Sequence, residues 1–253
     1  MDFAADEPRV ILSKSVTMIE RTIDRLDQVD ELQFPTSSST HARDLLLNSL
    51  KTLLEPANLE PMAPAVLYNK LFSLQELAET VCRSSTDRIS WPLVSYCDDM
   101  WKGLFRADGP SLFYSLTSKH NYTIFRFSDR IKSCLDVLLP KSRVASLLDG
   151  HELYCLELPS SEDANLPLYA NIGHEFGHAV FDHHRTELLK ILMERIRPLL
   201  KAANEDLQEE PDPSQATRRF RHVPTVLMKL GTELFCDLVG ARLMGASIPS
   251  VPV

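Results

Sequence analysis

The sequence predicts a mostly helical α+β protein, and three observations lead to that prediction. Only 8 of the 253 residues are glycine, less than half the usual share, which is typical of a helix-rich chain. Amphipathic helical spacing recurs through residues 1–105, whereas residues 111–127 are rich in β-branched and aromatic side chains. We therefore expect a helical bundle at residues 1–105, followed at residues 106–253 by a region in which a small β-sheet packs on a helix; the two regions could pack as one domain.

The first helix is predicted at residues 9–33 from an apolar stripe with 4-3-4-3 spacing. The stripe consists of Leu12, Val16, Ile19, Ile23 and Leu26. We expect these side chains to be buried in the core of the bundle. Alternatively, the N-terminal helices would use such faces to bind a partner protein.

Three more helices are predicted before residue 106. Thr40 is predicted to cap a helix at residues 41–55, and three prolines separate it from the next at residues 65–83. Ser90, with Pro92 in the first turn, marks the start of a fourth. None of these helices carries a catalytic motif.

A β-hairpin is predicted next, because residues 111–117 and 122–127 are strand-like and flank a polar turn. Ser128 is predicted to cap a helix that ends before Pro140, and residues 151–158 alternate in the manner of a strand. An edge strand, either this last one or the hairpin, could bind an extended peptide by strand addition. Alternatively, the sheet only packs against the helix that follows it.

The last part of the chain is predicted to contain three helices, at residues 168–183, at residues 186–203, and from near Pro224 to residue 244. The acidic segment 204–214 contains two prolines and is predicted to be an exposed loop.

The helix predicted at residues 168–183 contains His174, Glu175 and His178 in the order His-Glu-x-x-His. Residues four apart lie on the same face of a helix, so both imidazoles can bind one metal ion. Glu175 lies roughly 100° around the helix, where it could act as a general base without binding the metal. This order is typical of zinc hydrolases. Alternatively, the two histidines are core residues with satisfied hydrogen bonds.

A catalytic zinc site needs a third protein ligand, and two residues compete for that role. Glu233 and Asp237 are four apart, so Glu233 could bind the metal while Asp237 accepts the free ring N–H of His174. Their surroundings are apolar, where carboxylates without a metal or partner would be costly to bury. His184 is the rival, but a continuous helix would place it off the ligand face, and Phe181 stands where a turn would need glycine.

Glycines are concentrated near both of these segments. Five of the eight lie in or beside them, which predicts a close approach of the two backbones. They are Gly173, Gly177, Gly231, Gly240 and Gly245.

His174-Glu175-x-x-His178 followed by Glu233-x-x-x-Asp237 resembles the gluzincin metallopeptidases. The resemblance covers about 15 residues around each motif. It implies a zincin-like α+β core at residues 106–253 and a Zn²⁺ ion held by His174, His178 and Glu233, with Glu175 as general base and Asp237 bracing His174.

Gluzincins also carry an electrophilic histidine or tyrosine, usually further along the chain, and this chain ends 16 residues after Asp237. We expect either that the chain is part of a longer protein or that a nearby group takes this role. The groups considered are His222, Tyr154 and Tyr169.

Composition and sequence patterns limit the cellular locations and the binding partners that we expect for the protein. The net charge of −8 argues against nucleic acid, and five scattered cysteines without a C-x-x-C pair predict reduced, mostly buried thiols. The N-terminus lacks a signal-peptide pattern and no apolar run could span a membrane, so we expect a cytoplasmic protein without membrane contact.

These expectations combine into a zinc metallopeptidase that acts on a protein or peptide substrate. Two alternatives stay open: a regulatory or interaction protein with a structural or degenerate zinc site, and a metallohydrolase of non-peptide substrates, such as an amidase.

Overall fold

The computed structural model confirms a mostly helical α+β fold: the part of the chain that it describes forms nine α-helices and one three-stranded mixed sheet. The described residues are 7–29, 34–55, 58, 63–84, 89–105, 109–119, 121–150, 152–160, 169–208 and 213–243. The chain divides into two compact units, Met1–Asn165 and Leu166–Val253.

Six of these helices and all three strands belong to the first unit. The helices are α1 (Glu7–Asp27), α2 (Ser37–Leu53), α3 (Pro64–Cys82), α4 (Trp91–Leu104), α5 (Phe127–Leu138) and α6 (Lys141–Leu148). The strands are β1 (Ser111–Thr117), β2 (Thr123–Arg126) and β3 (Leu153–Pro159).

The apolar stripe of α1 is a core face, as predicted. Leu12 and Val16, near its start, are only half-buried. Ile19, Ile23 and Leu26 are buried, and α1 packs on α3. Burial of each such side chain stabilises the fold by roughly 1.5–3 kcal/mol. Residues 30–33 of the predicted first helix lie outside the described residues.

Two of the helix starts predicted in the first unit differ from the structure. The N-cap of α2 is Thr36 rather than Thr40, because Ser39 belongs to the first turn, where its buried hydroxyl lies 2.8 Å from that of Ser84. The N-cap of α5 is Arg126 rather than Ser128. Ser90 does precede the first residue of α4, with Pro in the first turn, as predicted.

The predicted hairpin is wrong. β3 lies between the other two strands, parallel to β1 and antiparallel to β2, so that Cys155 is opposite both Phe113 and Phe125. The reason is the apolar character of β3: Leu153, Cys155 and their neighbours up to residue 156 are buried on both faces, which is typical of a central strand. β3 is therefore not the edge strand that was considered for peptide binding.

The second unit consists of three helices in its described part: α7 (Tyr169–His183), α8 (Arg185–Gln208) and α9 (Pro213–Leu243). The predicted motif helix is confirmed to within one residue. α8 extends into the segment predicted as a loop, and Pro224 lies inside α9 rather than at its start. Since proline removes one backbone hydrogen bond, it makes a poor marker of the start when a helix continues through it.

The close backbone approach predicted from the glycines occurs between α7 and α9. A Cβ atom on Gly177 would lie 2.5 Å from the Cα atom of Cys236, and one on Gly173 would lie 2.9 Å from the Cα atom of Gly240. Hydrogen in place of a side chain at these positions lets the two backbones touch. This contact brings the two predicted motifs together.

The boundary between the compact units differs from the predicted boundary between residues 105 and 106. The three strands belong with the N-terminal helices because α2, α3 and α4 pack on β1. Packing of the sheet on the motif helix stays a prediction.

No helix within the described residues is both long and apolar enough to cross a membrane. The cysteines are free, and all are buried except the partly exposed Cys82.

Candidate metal centre

The histidines of the motif lie on one face of α7, because they are separated by one helical turn. Their ring centroids are 4.9 Å apart. The opposite face of the helix is buried through Ile172, Phe176 and Ala179. Packing of that apolar face therefore sets the rotation of α7 that leaves His174 and His178 partly exposed, at 25% and 34% of their side-chain surface.

α9 brings Glu233 next to both rings. Its Oε2 atom is 3.3 Å from Nε2 of His174 and 3.8 Å from Nε2 of His178. The same ring nitrogen of each histidine is therefore near one carboxylate oxygen. The sequence singled out these three residues as metal ligands, and the structure brings them together.

The other ring nitrogen of each histidine also has a partner on α9. Nδ1 of His174 is 2.7 Å from Oδ1 of Asp237. The sequence predicts a hydrogen bond between these two residues. Nδ1 of His178 is 3.3 Å from Sγ of Cys236. Glu233, Cys236 and Asp237 are three and four positions apart, so they share one face of the helix.

Cys236 is a candidate metal ligand that the sequence did not predict. His174, His178 and Cys236 form a group whose potential ligand atoms lie within 4.8 Å of one another, and this group could hold a metal ion. The signal was present in the sequence, because Cys236 is on the same helical face as Glu233 and cysteine is a common metal ligand. Its position against Gly177 became visible only in the structure.

The electrostatics of the site are dominated by carboxylates. The pKa of Cys236 is raised to about 12, mainly by burial and then by the negative charges of Glu233, Glu175 and Asp237, in that order of importance. The negative charge of Glu175 is therefore close enough to Cys236 to raise the pKa of its thiol. This thiol is the one that contacts His178. Three carboxylates around two imidazoles favour the binding of a cation.

The other residues considered for the site are not part of this group. His184 is exposed at the turn between α7 and α8. His222 precedes Glu233 by eleven positions on α9, or roughly 16 Å along a helix. Tyr154 belongs to the first unit, where its hydroxyl accepts hydrogen bonds from the Arg126 guanidinium at 3.0 and 2.8 Å. The side chain of Tyr169 lies outside the described residues.

Comparisons of the chain with models of known protein families, with curated proteins and with solved structures find no match.

Proposed function

We propose that the chain is a zinc-dependent peptidase in which His174, His178 and Glu233 hold the metal and Glu175 is the general base. The observation that carries this proposal is the position of Oε2 of Glu233, at 3.3 and 3.8 Å from the two Nε2 atoms. Two neutral imidazoles and one carboxylate are a common donor set of catalytic zinc, and they leave one coordination position open.

The distances from Glu233 to the two histidines are compatible with a tetrahedral ion. Zinc–ligand bonds of about 2.0–2.2 Å place neighbouring ligand atoms roughly 3.3 Å apart in a tetrahedron. The distance from Glu233 to His174 already has this value, and the distance to His178 is only 0.5 Å longer.

Asp237 gives further support. A carboxylate that accepts the Nδ1–H of a metal-binding histidine fixes the tautomer in which Nε2 is free, and makes that nitrogen a better ligand. The 2.7 Å contact of Asp237 with His174 is of this kind. A histidine that served only as a core residue would not need a carboxylate at both ring nitrogens.

A bound zinc ion lowers the pKa of a water molecule towards neutrality and polarises a carbonyl group. Glu175 would accept the proton of the attacking water as the new bond from oxygen to the peptide carbon forms. The same carboxyl group would then deliver this proton to the amine nitrogen as the carbon–nitrogen bond breaks. Glu175 lies roughly 100° around α7 from His174, and its negative charge acts on Cys236 at the site.

The test compares three variants. Each is incubated with zinc and assayed for hydrolysis of a mixture of peptides. Glu175→Gln should keep one zinc per chain by elemental analysis and lose hydrolysis by 100-fold or more, since general-base catalysis contributes that much. Glu233→Ala should lose zinc. Glu194→Gln, at an exposed position of α8, is the matched control and should behave as the wild type. A fully active Glu175→Gln variant contradicts the mechanism.

A second function is favoured by one observation, the presence of Cys236 beside His178. If the thiolate were a fourth ligand with His174, His178 and Glu233, the site would be closed and structural. The chain would then be a regulatory or interaction protein. Metal would stabilise such a protein without any hydrolysis, and Glu175→Gln would change nothing.

A further inference from the structure

The rings of His174 and His178 have the same pattern of contacts with α9. This shared pattern indicates a role for Cys236. In each ring Nε2 is near Glu233. In each ring Nδ1 is near a side chain that follows Glu233 on α9 by about one turn. For His174 that side chain is Asp237. For His178 it is Cys236, whose sulfur takes the place that the carboxylate has on the other ring.

We propose that Cys236 is a positioning residue for His178: its sulfur accepts the Nδ1–H and thereby directs Nε2 towards the metal. This inference rests on the proposed zinc site. The two nitrogens of an imidazole point away from each other, and a ring that binds metal through one normally donates a hydrogen bond through the other. A sulfur that is hydrogen-bonded to Nδ1 is then not a metal ligand. The metal therefore keeps one open coordination position.

Burial explains why this role falls to a cysteine. The residue is completely buried, and a Cβ atom on Gly177 would lie closer to the Cα atom of Cys236 than to any other neighbouring atom. A carboxylate there would lose its hydration with little room for compensation. Sulfur is a weak acceptor, but cysteine otherwise behaves as a small apolar residue and fits the contact. Asp237, with 67% of its side chain exposed, has no such restriction.

The geometry also predicts what Cys236 does for metal affinity. Without an acceptor, the Nδ1–H of His178 would face a cavity in the contact between the two helices. The ring would then be free to rotate or to adopt the other tautomer. Loss of a hydrogen bond to a metal-binding histidine typically weakens metal binding by 10- to 100-fold.

The experiment uses the full chain loaded with Co²⁺, which replaces zinc and absorbs light according to its ligands. A sulfur ligand produces a strong charge-transfer band in the near ultraviolet. We expect the wild type to bind one Co²⁺ without this band. Cys236→Ala should bind Co²⁺ 10- to 100-fold more weakly, and Cys236→Ser should recover most of the loss because its hydroxyl accepts the same hydrogen bond.

Cys97→Ala is the matched control, since Cys97 is an equally buried cysteine of the first unit, and its Co²⁺ affinity should equal that of the wild type. A charge-transfer band in the wild type that is absent from Cys236→Ala would show that the sulfur is a ligand. That result overturns the positioning role and leaves the metal site standing. Unchanged affinity in Cys236→Ala also overturns it alone, whereas a wild type that binds no metal overturns both proposals.

Discussion

Replacement of Gly177 by alanine tests whether the contact between α7 and α9 builds the proposed metal site. The added Cβ atom would lie 2.5 Å from the Cα atom and 2.9 Å from the Cβ atom of Cys236. Ordinary contact needs about 3.4 Å or more, so the helices must separate by roughly 1 Å. Neither contact is the end of a flexible side chain that could rotate away.

The magnitude follows from two opposing effects. Overpacking of this size costs about 3 kcal/mol, whereas alanine is favoured over glycine in a helix by about 1 kcal/mol. We expect the free energy of opening of α7 and α9 to fall by about 2 kcal/mol. A separation of roughly 1 Å also exceeds the tolerance of about 0.5 Å for a functional site, so zinc affinity should fall at least 10-fold.

Gly103→Ala is the matched control. Gly103 lies in α4, and a Cβ atom built there has no neighbour within 4 Å. Only the helix preference then remains, and it should stabilise α4 by up to about 1 kcal/mol. Amide hydrogen exchange measures the opening free energy of each helix separately, which avoids treating the two units as one transition. Zinc titration completes the assay. If Gly177→Ala kept wild-type protection and zinc affinity, the proposed role of the helix contact would be refuted.

Two further predictions concern single side chains. Asp237→Ala should weaken zinc binding by about 10-fold, the lower end of the usual range, because water can replace a carboxylate that is 67% exposed; competition with a chelator measures it, and a loss of 1,000-fold would instead identify Asp237 as a ligand. Burial and the neighbouring Cys97 and Asp98 raise the pKa of Tyr114. Above about pH 10 the unfolded chain loses this proton and the folded chain keeps it, so the free energy of unfolding falls by about 1.4 kcal/mol per pH unit. Tyr114→Phe should make the alkaline decline of the unfolding free energy shallower by that amount in denaturant titrations at several pH values, and equal slopes would contradict the assignment.

Local periodicity predicted most of the helices. The motif helix was placed to within one residue, because its apolar residues and its two histidines repeat with helical spacing. The sequence does not predict the early part of α9, because Pro224 has the features of a helix start although the helix begins at Pro213. A short helix such as α6 has too few residues for its periodicity to stand out.

Pairing between distant segments was the weaker part of the prediction. Strand partners are chosen by burial on both faces, and the sequence of β1 and β2 alone did not reveal that β3 lies between them. In the site, Glu233 and Asp237 could be singled out because carboxylates are conspicuous on an apolar helix. Cys236 was not conspicuous, because a cysteine fits an apolar environment and its contact with His178 depends on the rotation of two helices.

The contact between α7 and α9 has a consequence for how long the second unit survives proteolysis. Between His178 and Glu233 lie 54 residues, which include the whole of α8. An ion bound by both would act as a reversible cross-link around this loop. A covalent bridge that closes a loop of this length contributes on the order of 4 kcal/mol in the chain-entropy description. The supply of metal would then determine how often these helices open to a cellular protease.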